Sequence, residues 1–162
     1  MRRAAGFTLV ELMVVLVVIG IVSAAVLLST RGPDPGRVLA RESDRLALCL
    51  ERAFDAAVAG PRHFGLYLNA QRYGFLVYRA GAWQAPADPP CADHAWPAGL
   101  SWRAEVEGRA LPKPRPGAVL PQIYLLGSGE VSAFRIELAH AGARRVVSGT
   151  GWGEIRSAAL EP

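Results

Sequence analysis

From Phe7 to Leu28 the chain carries a single charge, Glu11, in an otherwise apolar run. As a helix at about 1.5 Å per residue, that run would be about 33 Å long, enough for a hydrocarbon core of roughly 30 Å. The pattern then breaks at Arg31-Gly32-Pro33-Asp34-Pro35, where two prolines withhold backbone donors and disfavour helix in the residue before each. Asp34 followed by Pro35 is a restart signal, an N-cap acceptor ahead of a proline at the first helical position. From there to Ala59 the period is helical. Leu39, Leu46, Cys49, Leu50, Ala53 and Ala57 share one face, with Arg41, Asp44, Arg45, Glu51, Arg52 and Asp55 largely opposite, and Gly60-Pro61 is the stop.

Beyond Pro61 the period changes to two. Leu100, Trp102, Ala104 and Val106 alternate with polar residues; Phe64, Leu66 and Leu68 alternate similarly, and Tyr73, Phe75 and Val77 make a returning strand after the hairpin-length Asn69–Arg72 link. Further strands are predicted at 82–84, 121–126, 132–139, 144–149 and 152–159, while the Pro-rich stretches 85–97 and 111–121 are predicted as irregular loops. The expectation is an α+β chain: an N-terminal membrane helix, a second amphipathic helix, then an antiparallel β-sandwich of about seven or eight strands with the second helix covering one side.

Composition narrows the class. Of 162 residues, the part beyond Arg37 is long enough for one domain with its own core. Net charge is +4, and loss of Arg2 and Arg3 would leave +2. The basic residues are almost all Arg, and Ala, Gly and Pro are plentiful. That is the skew of a GC-rich genome, so the high pI is no argument for an acidic partner. Arg2 and Arg3 ahead of the apolar run place the N-terminus in the cytoplasm and the rest across the membrane, with no second span.

A carboxylate inside a span costs about 2.5–3.5 kcal/mol, so Glu11 asks for a partner. A cleaved secretory signal, with Ser23-Ala24-Ala25 as its site, is at odds with the length of the run and with Glu11. A plain anchor explains the length but not the charge. The run Gly6-Phe7-Thr8-Leu9-Val10-Glu11-Leu12 resembles the cleavage and methylation motif of type IV pilins and type II secretion pseudopilins. The resemblance implies cleavage after Gly6 by a prepilin peptidase, N-methylation of Phe7, and Glu11 as the signature acid at the fifth mature position.

Over most of the chain the arrangement is similar to the H-type minor pseudopilins, grouped with FimT-like minor pilins. Arg41 to Ala59 resembles that family's helix, and Tyr73-Gly-Phe-Leu-Val77 with Trp83 its first hairpin. Pro121 to Glu130, then Phe134 to Leu138, resemble its Ser-Gly-Glu turn between two strands, and Gly153-Glu-Ile155 its last strand. The resemblance implies a leader at 1–6, an assembly and membrane helix at 7–28, a Pro/Gly linker at 29–36 and a periplasmic domain at 37–162. It implies as partners the prepilin peptidase, other pseudopilins, the inner-membrane secretion platform, inner-membrane lipid and a secreted substrate. In a filament, Glu11 of one subunit could pair with the Phe7 amine of its neighbour.

Candidate chemistry is sparse. His63, His94 and His140 lie in separate elements without metal-ligand spacing. Cys91-Ala-Asp93-His94 offers three ligand types, but in a Pro-rich loop that reads as solvated; no metal and no cofactor are expected. A nucleophile elbow, a phosphate-cradling Gly loop and a recognisable triad are all missing, so an anchored periplasmic enzyme is a remote rival. Cys49 and Cys91 are either two idle thiols or a bridge between helix and loop, closing about 40 residues and worth roughly 3–4 kcal/mol. Arg144, Arg145 and Arg156 read as a solvated edge, or else resemble the DNA-contacting arginines of a FimT-like pilin; the edge is the preferred reading and DNA is not expected as a partner.

Overall fold

The computed structural model describes residues 8–29, 34–112, 117 and 119–160, with the backbone alone for 25–29. Gly6, Phe7, the rest of the leader and linker residues 30–33 lie outside the described residues. The chain divides into two compact units at Asp34–Pro35.

The first unit contains helix α1, Leu9–Ser29. Thr8 caps it: its Oγ1 accepts from the Glu11 backbone N–H at 3.3 Å. Thr8 and Glu11 thus hold the Ncap and N3 places of a capping box, and an acid in the first turn suits the positive end of the helix dipole.

The second unit opens with α2, Pro35–Val58. All six residues of the apolar face read from the period are buried, and the charged residues opposite them are exposed. Glu42 and Ser43, polar residues that do not fit the apolar period, are buried as well. The helix ends as Gly60 N–H bonds back to Ala57 C=O at 3.3 Å, tightening the last turn ahead of Pro61.

Two antiparallel sheets follow. One contains β1 (His63–Leu68), β2 (Arg72–Arg79), β3 (Ala82–Gln84), β4 (His94–Ala95) and β7 (Ile123–Leu125), in the order β3-β2-β1-β7, with β4 also on β2. The other contains β5 (Ser101–Val106), β6 (Arg109–Ala110), β8 (Phe134–His140), β9 (Ala143–Gly149) and β10 (Ile155–Ala159), in the order β10-β9-β8-β5-β6. The β1–β2 link is fixed by Asn69, whose Oδ1 accepts from the N–H groups of Gln71 and Arg72, both at 2.9 Å. Leu39, Leu46 and Leu50 of α2 meet Leu66, Tyr73 and Ile123 of the first sheet and Ile136, Leu138 and Val147 of the second in one core.

Three expectations need correction. Residues 85–97 are not irregular throughout, because β4 pairs with β2 through Arg72↔Ala95 and Tyr73↔His94. The strand expected at 152–159 begins only at Ile155, since Thr150–Glu154 form a turn closed by Thr150 N–H to Glu154 C=O at 3.2 Å. β1 and β2 are not half-buried strands: Gly65, Tyr67, Gly74 and Leu76 are buried on the face opposite the core. Two glycines permit that second covering. A Cβ on Gly65 would lie 2.4 Å from Pro121 Cβ, and one on Gly74 would lie 2.0 Å from Asp93 Oδ1.

Candidate functional site

α1 has no polar side beyond its first turn. Leu9 is 79% exposed, Val15 46% and Ile21 65%, so apolar surface faces outward around the whole circumference. A helix apolar on every side belongs inside a bilayer or a helix bundle. Among the described residues no helix is long and apolar enough to cross a membrane; the described side chains of α1 stop at Ala24. Glu11 is the one acid on this surface.

The second unit is clasped by the stretch that the proline content marked as loop. Cys91 is joined to Cys49 of α2 by a disulfide, with a Cα–Cα distance of 5.6 Å. Side chains then alternate across β4. Asp93 faces outward, where the Tyr67 hydroxyl donates to its Oδ2 at 2.5 Å and Arg72 lies 3.6 Å away. His94 faces inward, its Nε2 2.9 Å from Oε2 of Glu42, which is only 5% exposed. Trp96 also turns in, and its Nε1 shares the Asn69 carbonyl with Trp102 Nε1, at 2.9 and 3.0 Å. The clasp therefore grips α2, the β1–β2 hairpin and β5 together.

The same alternation separates the three ligand types of Cys91-Ala-Asp93-His94. Cys91 is spent in the disulfide, while Asp93 and His94 point to opposite faces. Among the described residues no three His, Cys, Asp or Glu side chains converge.

Burial, then the Asp93 hydrogen bond and charge, push the Tyr67 phenol from 10.0 up to about 12. Burial, then the Glu42 carboxylate, push Tyr73 up further. A phenol that keeps its proton in the folded chain but ionises in the unfolded one stabilises fully below the unfolded value and loses that contribution above it. Tyr67 should therefore leave stability unaffected up to pH 10 and lower it between pH 10 and 12. In melting scans across that window, Tyr67→Phe should flatten the fall, with the remainder due to Tyr73. An equal fall in both proteins would reject the assignment.

The three C-terminal arginines separate. Arg145 turns inward from β9: its Nε donates to Ser43 Oγ at 2.6 Å, and its Nη2 to Asp44 at 3.1 Å and Ser157 at 3.0 Å. It couples α2 to β9 and β10, a role invisible in the sequence because Ser43 and Asp44 look like ordinary helix surface. Arg156 is paired with Glu154 at 3.3 Å. Arg144 stays on the exposed outer side. With one arginine built in and another paired, they do not form the broad basic patch that a phosphate backbone requires.

A capped, all-round apolar helix, followed in sequence by a separate unit of one helix and two antiparallel sheets, defines a pilin-like subunit. Residues 1–27 match the family described as prokaryotic N-terminal methylation motif. The chain is 35% identical to the type II secretion system protein H of Pseudomonas aeruginosa, across 88% of this chain and 87% of that protein. It is 27% identical to the Escherichia coli protein of the same name, across 88% and 85%. The fold is that of the minor pseudopilin EpsH from the type II secretion system of Vibrio cholerae, with a TM-score of 0.66 at 21% identity over 78% of this chain and 99% of that one. The solution structure of Escherichia coli GspH gives a TM-score of 0.52 at 18% identity, over 80% and 94%.

The chain belongs to the type II secretion system protein H family, the minor pseudopilins GspH, and is a structural protein rather than an enzyme. The methylation motif implies a prepilin peptidase as processing partner, and the family implies other pseudopilins as neighbours. Pseudopilins are anchored in the inner membrane and carry a periplasmic domain.

Proposed function

We propose that a prepilin peptidase cuts this chain between Gly6 and Phe7, that Phe7 is then N-methylated, and that the mature subunit enters the pseudopilus through α1. Before assembly, residues 7–28 hold it as a single pass in the inner membrane, N-terminus cytoplasmic and residues 37–162 periplasmic. Assembly on the inner-membrane secretion platform then contributes to export of folded proteins across the outer membrane. One observation carries this reading: a lone carboxylate, Glu11, in the first turn of a helix that is apolar on every other side.

The chemistry supports a specific pairing. Cleavage at Phe7 creates an ammonium four residues from Glu11, and both charges are expensive in an apolar bundle. Glu11 of one subunit and the Phe7 amine of the next neutralise one another, where breaking a buried pair typically costs about 3–5 kcal/mol. One stagger alone brings them together, so the pair also fixes the axial register.

Processing is tested by mass spectrometry of membrane-purified protein. The expected mature mass begins at N-methyl-Phe7, and Gly6→Leu should leave the leader attached because the peptidase needs a small residue there. An intact Met1, a start near Val26, or normal processing of Gly6→Leu would each count against the proposal.

A further inference from the structure

The face of the first sheet turned away from the core carries a ladder of three aromatic rings. Trp83 of β3 stands between Tyr78 of β2 and Tyr124 of β7, at ring-centroid distances of 5.2 and 5.6 Å. Tyr78 is 41% exposed and Tyr124 39%, while Trp83 is half-buried. The hairpin that presents Trp83 is tied at both ends. Ala80 and Gly81 have positive φ, 50° and 82°, as a two-residue hairpin turn requires, and Gln84 Nε2 donates to Arg79 C=O at 3.0 Å. Tyr78 is thereby set directly opposite Trp83.

The ladder has two slots built from the same parts. The slot beside Tyr124 holds this chain's own Pro121, which is buried. Its ring and the Cζ3 edge of Trp83 meet over Gly65, where a Cβ would lie 2.4 Å from Pro121 Cβ and 3.1 Å from Trp83 Cζ3. The Pro121 carbonyl accepts from the Tyr124 hydroxyl at 3.3 Å. The slot beside Tyr78 offers the same pair of ring types, tilted by 56° into an open V. Its donors are unspent: neither the Tyr78 hydroxyl nor Trp83 Nε1–H has an acceptor among the described residues. Because the Cζ3 edge of the indole faces Gly65, its N–H lies on the other edge of the ring.

We propose that the Tyr78–Trp83 slot takes a proline from an extended, proline-rich segment of a partner protein. The filled slot selects the occupant, since a proline ring with its carbonyl on a tyrosine hydroxyl already sits against the same indole. Aromatic-lined grooves hold polyproline II chain in this way, through stacked rings and hydrogen bonds to a backbone that has none of its own. Tyr78 and Trp83 supply one such donor each. Hairpin and ligand are both formed in advance, so little ordering opposes the contact. The slot lies in the second unit and does not depend on the pairing proposed for Glu11.

The test is binding of a fluorescein-labelled decaproline peptide to the full chain in detergent micelles, read by anisotropy. A labelled Gly-Ser peptide of the same length should bind at least about tenfold more weakly. Tyr78→Ala should weaken decaproline binding about tenfold. Tyr78→Phe and Trp83→Phe keep a ring but lose a donor, and each should cost about fivefold. Trp152→Ala, which removes an exposed indole elsewhere, should change nothing. No binding, equal binding of the Gly-Ser peptide, full affinity in Tyr78→Ala, or loss of binding in Trp152→Ala would each overturn the inference. So would displacement of the label by a chitin trisaccharide at lower concentration than by unlabelled decaproline, which would make the slot a sugar site. Unchanged melting of the Tyr78 variants, with Cys49–Cys91 closed, certifies that weakened binding is not misfolding.

Discussion

Glu11→Ala is expected to leave membrane insertion and processing at Phe7 intact while impairing entry into the pseudopilus and, with it, secretion. On the proposed pairing, removing the carboxylate would strand the Phe7 ammonium of the neighbouring subunit in an apolar bundle, and an unpaired buried charge costs about 3–5 kcal/mol, a factor of about a hundred or more in occupancy. Glu11→Gln keeps the shape but not the charge and should fail nearly as badly. Glu11→Asp keeps the charge on a shorter arm and should be partly active. Loss of the capping-box acid is a lesser effect, a few tenths to about one kcal/mol in helix stability. The measurement is co-purification of each variant with the other pseudopilins alongside secretion; wild-type co-assembly by Glu11→Ala would remove Glu11 from the contact.

Cys49→Ser is expected to have the largest effect on the periplasmic unit. The bridge spans a sequence separation of 42, and chain-entropy models value a loop of that length at about 4 kcal/mol. For a chain of this size that corresponds to a fall in melting temperature on the order of 10 °C. Cys91→Ser should match it, and the double variant should be no worse than either, because the same bond is lost each time. His94 should then let go of Glu42 more readily, since the disulfide and the His94–Glu42 contact hold the same stretch against α2. Indistinguishable melting curves for the three variants and the wild type would mean that β4 and the Tyr67–Asp93 bond hold the clasp unaided.

The parts legible in the sequence are those with a local signature. α2 shows its buried face through a 3.6-residue period, β5 through a period of two, and Glu11 through being the one charge in an apolar run. Glu42, Ser43 and Arg145 were illegible because polar residues turned inward look like surface residues until their partners are known. Those partners sit far away in sequence: His94 for Glu42, Arg145 for Ser43. The clasp was legible only as the possible Cys49–Cys91 bridge, and the rest was hidden for a related reason. Its prolines argue for loop, and its order comes from Tyr67, Cys49 and the Asn69 carbonyl, none of which a local window contains. Conversely, Gly65 and Gly74 look like weak points in strands, whereas each makes room for a side chain laid flat on the sheet.

The short margins of the first sheet bear on life in a crowded membrane. An anchored subunit waiting for assembly meets its own kind at high two-dimensional density, the setting in which open strand edges stack into fibres. β3, β4 and β7 are each too brief to template a growing ribbon. The β10 margin is longer, but it carries the exposed Arg156, and a charge on an open strand discourages a further strand from adding to it.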